Sequence, residues 1–140
     1  MMATPERARL LRLTLQANAW FSGLSGLLFV FAAMPISSFL GVGPPWTLAA
    51  LGVGLVFYAL WLVACVLGGP IESRCVRIAI ALDAAWVIGS GVILATNVLP
   101  LTLPGKWAVG IVADLVATFA ALQFYGLHMQ QAGTIPHETC

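Results

Sequence analysis

The chain has 140 residues, of which 61% are hydrophobic and 8% are charged, and its formal net charge is +1. Soluble domains carry about 25% charged residues, so this composition excludes an ordinary soluble domain. A charge so close to zero gives no reason to expect a nucleic-acid partner. The composition instead predicts a protein whose main partner is the lipid bilayer.

Four apolar stretches are long enough to cross a bilayer, which requires roughly 20 residues. They cover about residues 13–34, 47–67, 76–98 and 107–129. The turns between them are PISSFLGVGPPW, GGPIESR and LPLTLPGK, and residues 130–140 form a short polar tail. We therefore predict an all-α membrane protein in which residues 1–140 form a single four-transmembrane-helix bundle.

The basic residues predict the orientation of the bundle, because Arg and Lys near span ends stay in the cytoplasm. Five of the six lie before the first span or between the second and third: Arg7, Arg9, Arg12, Arg74 and Arg77. Only Lys106 lies on the other side. Both termini are thus predicted to be cytoplasmic, in a multi-pass protein of the cell inner membrane.

An internal repeat relates the first half of the chain to the second at a constant offset of 65 residues. Seven residues recur at this offset: Pro5, Arg9, Arg12, Ala19, Ser25, Gly26 and Pro35 match Pro70, Arg74, Arg77, Ala84, Ser90, Gly91 and Pro100. Asn18 falls on Asp83. The repeat predicts two related helical hairpins, with the pairs Asn18/Asp83 and Ser25/Ser90 at equal depth about a pseudo-two-fold axis.

The recurring pattern R-x-x-R…[ND]-A…S-G…P is similar to that of small uncharacterised bacterial four-helix inner-membrane proteins, and this resemblance implies no activity. The size and layout also resemble DoxX-like proteins, although no motif here identifies them. Small multidrug exporters carry a glutamate in the first span, where this chain has only Gln16 and Asn18.

Polar and small residues recur along one face of each span, since residues seven apart on a helix lie nearly above one another. On the third span they are Asp83, Ser90 and Asn97; on the fourth, Trp107, Asp114, Thr118, Ala121, Tyr125 and His128. On the first they are Asn18, Ser22 and Ser25; on the second, Gly54, Tyr58, Trp61 and Cys65. We expect all four faces to point into the bundle, because lipid offers polar groups no partner.

Small residues spaced four apart predict close contacts between the helices. Each span has one such set: Ser22/Gly26, Ala50/Gly54, Ala85/Gly89 and Ala113/Ala117/Ala121. The pattern indicates a tightly packed bundle and leaves open whether the contacts lie within one chain or between copies.

The candidate functional polar residues are Asn18, Tyr58, Asp83, Ser90, Asp114, Thr118 and His128. A carboxyl within a span costs about 2.5–3.5 kcal/mol and is a functional hypothesis by default. Asp83 lies about 9 Å beyond Arg77, and Asp114 about 12 Å beyond Lys106 on the opposite side. The structural alternative for Asp114 is a hydrogen bond to Thr118, to a tyrosine or to a tryptophan indole, and across the bundle we expect Tyr58 or a first-span serine as its partner.

The sequence predicts no catalytic residues, no metal site and no bound cofactor. His128 is the only histidine within the spans, so a haem with two histidine ligands has no second ligand. Cys65, Cys75 and Cys140 form no C-x-x-C motif and lie towards the reducing cytoplasmic side. We therefore expect Cys65 and Cys75 to be unpaired thiols that fill space.

The leading functional hypothesis is a non-enzymatic structural or accessory module that forms a homo-oligomer or joins a larger membrane complex. The alternative is a small proton-coupled transporter or channel that uses Asp83 and Asp114. A membrane enzyme is the third class, and it would require Asp114, Tyr58, Trp61 or His128 to act on a lipid or a quinone.

Overall fold

A computed structural model describes residues 4–132, and within this range the chain forms five α-helices and no strand. They are α1 (Thr4–Phe31), α2 (Ala33–Leu40), α3 (Pro45–Leu67), α4 (Ser73–Thr96) and α5 (Leu103–Ala132). The all-helical class is thus confirmed. His137, Cys140 and most of the polar tail lie outside the described residues.

Three of the described helices, α3, α4 and α5, are each long and apolar enough to cross a membrane. A fourth span exists only if α1 and α2 are taken together, and these two helices are bent by 98° at their junction. The prediction of long apolar helices with membrane-spanning length is confirmed, with three to four candidate spans.

The segment after the first span was predicted as a turn, but its first half, residues 35–40, lies in the helix α2. Pro35 lies in the first turn of α2. Residues of the first turn have no intrahelical acceptor for their N–H, so the N–H that proline lacks costs the helix no hydrogen bond. Gly41 ends the helix at φ +75° and donates its N–H to the carbonyl of Ser37 at 2.9 Å. Glycine adopts this left-handed conformation without the clash that a side chain would cause.

The four long helices do not all pack equally against one another. Helix α1 packs along α3 and also contacts α5, while α4 packs mainly on α5. Helices α3 and α4 contact each other little. The apolar core lies near the start of α1, where buried Leu11 and Leu15 meet Leu62, Val76 and Leu127.

Arginines of α1 fasten the ends of two other helices at this side of the bundle. Arg12 donates to the carbonyls of Val66 and Gly69, each at 3.1 Å, at the C-terminal end of α3. Arg7 donates to the carbonyl of Met129 on α5 at 2.9 Å. Basic side chains at helix C-termini satisfy carbonyls that lack intrahelical donors. Because Arg7 contacts Met129, both described ends of the chain lie at the same end of the bundle.

The closest approach of α1 to α3 occurs at Gly26 and Gly52. A Cβ on Gly26 would lie 2.7 Å from the carbonyl oxygen of Gly52, and one on Gly52 would lie 2.6 Å from that of Gly26. Gly26 therefore has the close contact that its small-residue spacing predicts. On α3 this contact is made by Gly52, whereas Gly54 of the predicted pair Ala50/Gly54 borders open space within the chain.

Cys65 and Cys75 form a disulfide, which corrects the expectation of two unpaired thiols. The turn between α3 and α4 brings their Cα atoms to 6.4 Å, within the range that a disulfide spans. The expectation used the compartment and the missing C-x-x-C motif, and neither reports which residues a turn brings together. The bond joins the last turn of α3 to the first turn of α4.

Candidate functional site

Asp83 is the centre of a buried polar cluster to which all four long helices contribute. Its Oδ2 accepts hydrogen bonds from Asn18 Nδ2 at 2.7 Å and from Gln123 Nε2 at 3.2 Å. Its Oδ1 accepts one from the hydroxyl of Tyr58 at 2.9 Å. Asp83 is only 4% exposed and Asn18 only 1% exposed, so the bonds form away from solvent and lipid.

Asn18 extends this Asp83 cluster along α1 and towards α3. Its Nδ2 also lies 3.3 Å from the hydroxyl oxygen of Tyr58, and its Oδ1 accepts a hydrogen bond from Ser22 Oγ at 3.3 Å. Ser22 is one turn further along the same face of α1, as the sequence predicted. The cluster consists of Asn18, Ser22, Tyr58, Asp83 and Gln123.

The partners of Asp83 are all neutral. Within residues 4–132 no Arg, Lys or His side chain forms an ion pair with it. A carboxylate can accept about four hydrogen bonds, so three donors leave part of its capacity unused. The cluster therefore holds a carboxyl group in an apolar bundle by hydrogen bonds alone.

Gln123 is the member of the cluster that the sequence analysis missed. It is 0% exposed, and its Oε1 has no donor among the described residues. It is the only amide side chain between residues 107 and 129, and a lone amide in an apolar run was the available signal. The polar stripe through Asp114 drew attention to a different face of the same helix.

A cavity of about 650 Å³ adjoins the Asp83 cluster, and all four long helices line it. Asp83 and Tyr58 border it on the cluster side, and Trp86 lines its wall with Phe21 and Phe29. The indole N–H of Trp86 is buried and has no acceptor within the described chain. Both α3 and α4 line the cavity, and it occupies space that their sparse contact leaves open.

The polar face predicted for the fourth span points outward, so that prediction is wrong for the single chain. Its members are all exposed: Trp107, Asp114, Thr118, Ala121, Tyr125 and His128. The buried residues of α5 are Gly105, Val116, Gln123, Gly126 and Leu127. A Cβ on Gly126 would lie 2.7 Å from Cδ2 of Leu11, so this glycine must face α1, and that contact sets the rotation of α5.

The predicted hydrogen bond from Asp114 across the bundle is also wrong. Within residues 4–132 its carboxyl bonds neither Tyr58 nor a serine of α1, because Tyr58 donates to Asp83. Thr118 Oγ1 donates to the backbone carbonyl of Asp114 at 2.9 Å. His128 stacks on Phe124 with ring centroids 6.3 Å apart.

The structure brings together three of the seven predicted candidates, Asn18, Tyr58 and Asp83. Ser90 is buried on α4 seven residues beyond Asp83, at about 10 Å along the helix. Asp114, Thr118 and His128 share the outer face of α5 and do not join the Asp83 cluster.

The Asp83 cluster can accept hydrogen bonds and present negative charge, and the hydroxyl of Tyr58 donates to its carboxylate. Among the described residues no group of three His, Cys, Asp or Glu side chains could hold a metal ion.

Compared with known proteins, the chain matches no family model, no curated protein and no solved structure.

Proposed function

We propose that this protein is a non-enzymatic inner-membrane module that works by assembling with copies of itself. The observation that carries the proposal is the exposure of Asp114 on the outer face of α5. This residue lies in a helix that is long and apolar enough to span a membrane. The basic residues support an orientation with both termini in the cytoplasm.

A carboxyl group on a lipid-facing surface is unfavourable, because lipid offers no hydrogen-bond partner. The cost is about 2.5–3.5 kcal/mol on insertion scales. A second copy that packs against this face would cover Asp114 and provide donors and acceptors from its own Thr118 and Tyr125. Ala121 on the same face lets two helix backbones approach closely.

The experiment is to count protomers by native mass spectrometry and by single-molecule photobleaching in lipid nanodiscs. We expect an oligomer for the unmodified protein and monomers for Asp114→Leu. Gln16→Leu is the matched control, because Gln16 is an exposed amide near the middle of a different helix, α1. A monomeric unmodified protein, or an Asp114→Leu oligomer of unchanged size, would count against the proposal.

A proton-coupled transporter or channel is the second candidate, and the cavity beside Asp83 is the observation that favours it. Asp83 lies inside the bundle while Asp114 lies on its outer face, so a pathway through both would need neighbouring copies. Proton flux into liposomes should then be lost in Asp83→Asn and Asp114→Asn. Glu72→Gln, which removes an exposed carboxyl outside the helices, should keep the flux.

A further inference from the structure

We infer that the cavity beside the Asp83 cluster is a binding site for a lipophilic organic cation, held with its charge against Asp83. The ligand class is a protonated amine or an onium ion that carries bulky apolar or aromatic groups. One chain forms the whole cavity, so binding of the cation requires neither self-assembly nor transport.

The charge of Asp83 is the first reason. Its three partners are neutral, and no cationic side chain within residues 4–132 pairs with it. A charge buried in a low-dielectric interior without a counter-charge is unfavourable. The carboxylate has accepting capacity left and borders the cavity, so a cationic ligand could supply the missing opposite charge.

The cavity walls are the second reason. Phe21, Phe29, Tyr58 and Trp86 all line it, and aromatic faces attract cations through their quadrupoles. Its volume of about 650 Å³ lies within the range of about 300–1,000 Å³ that small-molecule sites occupy. Apart from Ser22, Ser25 and Asp83, the remaining lining is aliphatic or glycine, which suits a ligand that partitions into the membrane.

Trp86 adds an independent sign of a missing partner. Its indole N–H is buried without an acceptor in the described chain, and buried polar groups normally have one. The indole nitrogen has almost no exposed surface, so a ligand oxygen would accept this hydrogen bond only after the Trp86 ring turns towards the cavity.

A lipid acyl chain is the competing occupant, because it would fill the apolar part of the cavity. It would leave Asp83 without a counter-charge, so the chemistry of the cavity favours the cation. The two occupants predict different results when a charged probe is compared with a neutral one of similar shape.

The experiment measures the binding of radiolabelled tetraphenylphosphonium to the purified full-length chain by equilibrium dialysis. Tetraphenylsilane is the neutral probe of matching shape, because it carries the same four phenyl groups without a charge or an oxygen. We expect saturable binding of the cation, about tenfold or more tighter than that of the neutral probe. Absence of saturable cation binding, or equal affinity for the two probes, would overturn the inference.

Asp83→Asn tests the role of the charge. It should weaken cation binding about tenfold or more and leave the affinity for tetraphenylsilane nearly unchanged. Glu72→Gln removes the same charge from an exposed turn, so it should bind the cation like the unmodified protein. Unchanged binding by a folded Asp83→Asn protein would overturn the assignment of Asp83.

Gly54→Leu tests the cavity without altering the Asp83 cluster. Gly54 lines the cavity, and a Cβ placed on it meets no atom within 4 Å, so leucine can enter the space without a clash. The substitution should abolish saturable binding even if Asp83→Asn fails to fold. Gly89→Leu is the matched control, since Gly89 also borders open space but does not line the cavity. Equal binding by both leucine variants would overturn the proposed location.

Discussion

Asp83 and Asp114 are carboxyls in apolar helices of the same chain, yet their surroundings are opposite. Asp83 is buried among three donors from α1, α3 and α5. Asp114 is exposed on the outer face of α5, and in the described chain its carboxyl bonds none of the groups around Asp83. Composition and depth along the helix do not distinguish them, since both lie well inside apolar stretches.

The difference shows that the rotation of a helix decides which of its polar residues becomes internal. On α5 the buried side is set by Gly126 against Leu11 and by Gln123 against Asp83. Asp114 lies nine residues before Gln123, which places it about 180° around the helix. The inner carboxyl therefore stabilises one chain, while the outer one is available for contact between chains.

Replacement of each carboxyl by leucine should give the largest contrast. Asp83→Leu removes the acceptor of three buried donors, and each loss costs roughly 1 kcal/mol, so the free energy of unfolding should fall by about 3 kcal/mol. Asp114→Leu in a monomeric micelle should change it by less than about 0.5 kcal/mol. Denaturant titration followed by circular dichroism measures both, and similar losses would break the distinction between inner and outer carboxyls.

Loss of the disulfide should give the next largest effect, because this bond covalently joins α3 to α4. It closes a loop with a sequence separation of 10 residues. Chain entropy predicts that reduction of the purified protein lowers the free energy of unfolding by about 2.5–3 kcal/mol. Cys65→Ser should show the same loss and no further change with reductant. Equal stability of the oxidised and reduced proteins would contradict this.

Two glycines matched by the sequence repeat, Gly26 and Gly91, extend the comparison from charge to packing. Gly26→Ala should lower the free energy of unfolding by about 1–3 kcal/mol, because its Cβ would meet the backbone of Gly52. Gly91→Ala should be neutral or slightly stabilising, since nothing lies within 4 Å of a Cβ there. Thermal unfolding in micelles measures both, and equal effects would mean that the two repeat positions have equivalent surroundings.

The two tyrosines should give the smallest contrast. Tyr58→Phe removes the hydrogen bond that Tyr58 donates to Asp83, and it should lower the free energy of unfolding by about 0.6 kcal/mol, the average for such bonds in membrane proteins, and by no more than about 1.7 kcal/mol. Tyr125→Phe alters a side chain that is 53% exposed on the outer face of α5. It should leave the stability of the monomer unchanged, and a loss equal to that of Tyr58→Phe would show that Tyr125 also has an internal partner.

The all-helical class of this protein follows from its sequence, because long apolar runs and rare charges leave few alternatives to helices in a membrane. It also identified Asn18, Tyr58 and Asp83 as candidates, since polar residues in apolar runs require partners. The relation between Asn18 and Asp83 emerged from the repeat, and the two side chains lie 2.7 Å apart. The repeat itself remains a prediction.

The buried helix faces, the pairing of the thiols and the bend in the chain could be read only from the folded structure. A stripe of polar residues defines one face of a helix but does not say whether that face points inward. The rotation of α5 about its axis depends on the shapes of Leu11 and Gly126, which pack against each other. The pairing of Cys65 with Cys75 depends on how the turn folds back, and α2 depends on a bend of 98° after Phe31. These outcomes depend on contacts between distant parts of the chain, whereas apolar runs and periodicity report only on neighbours along it.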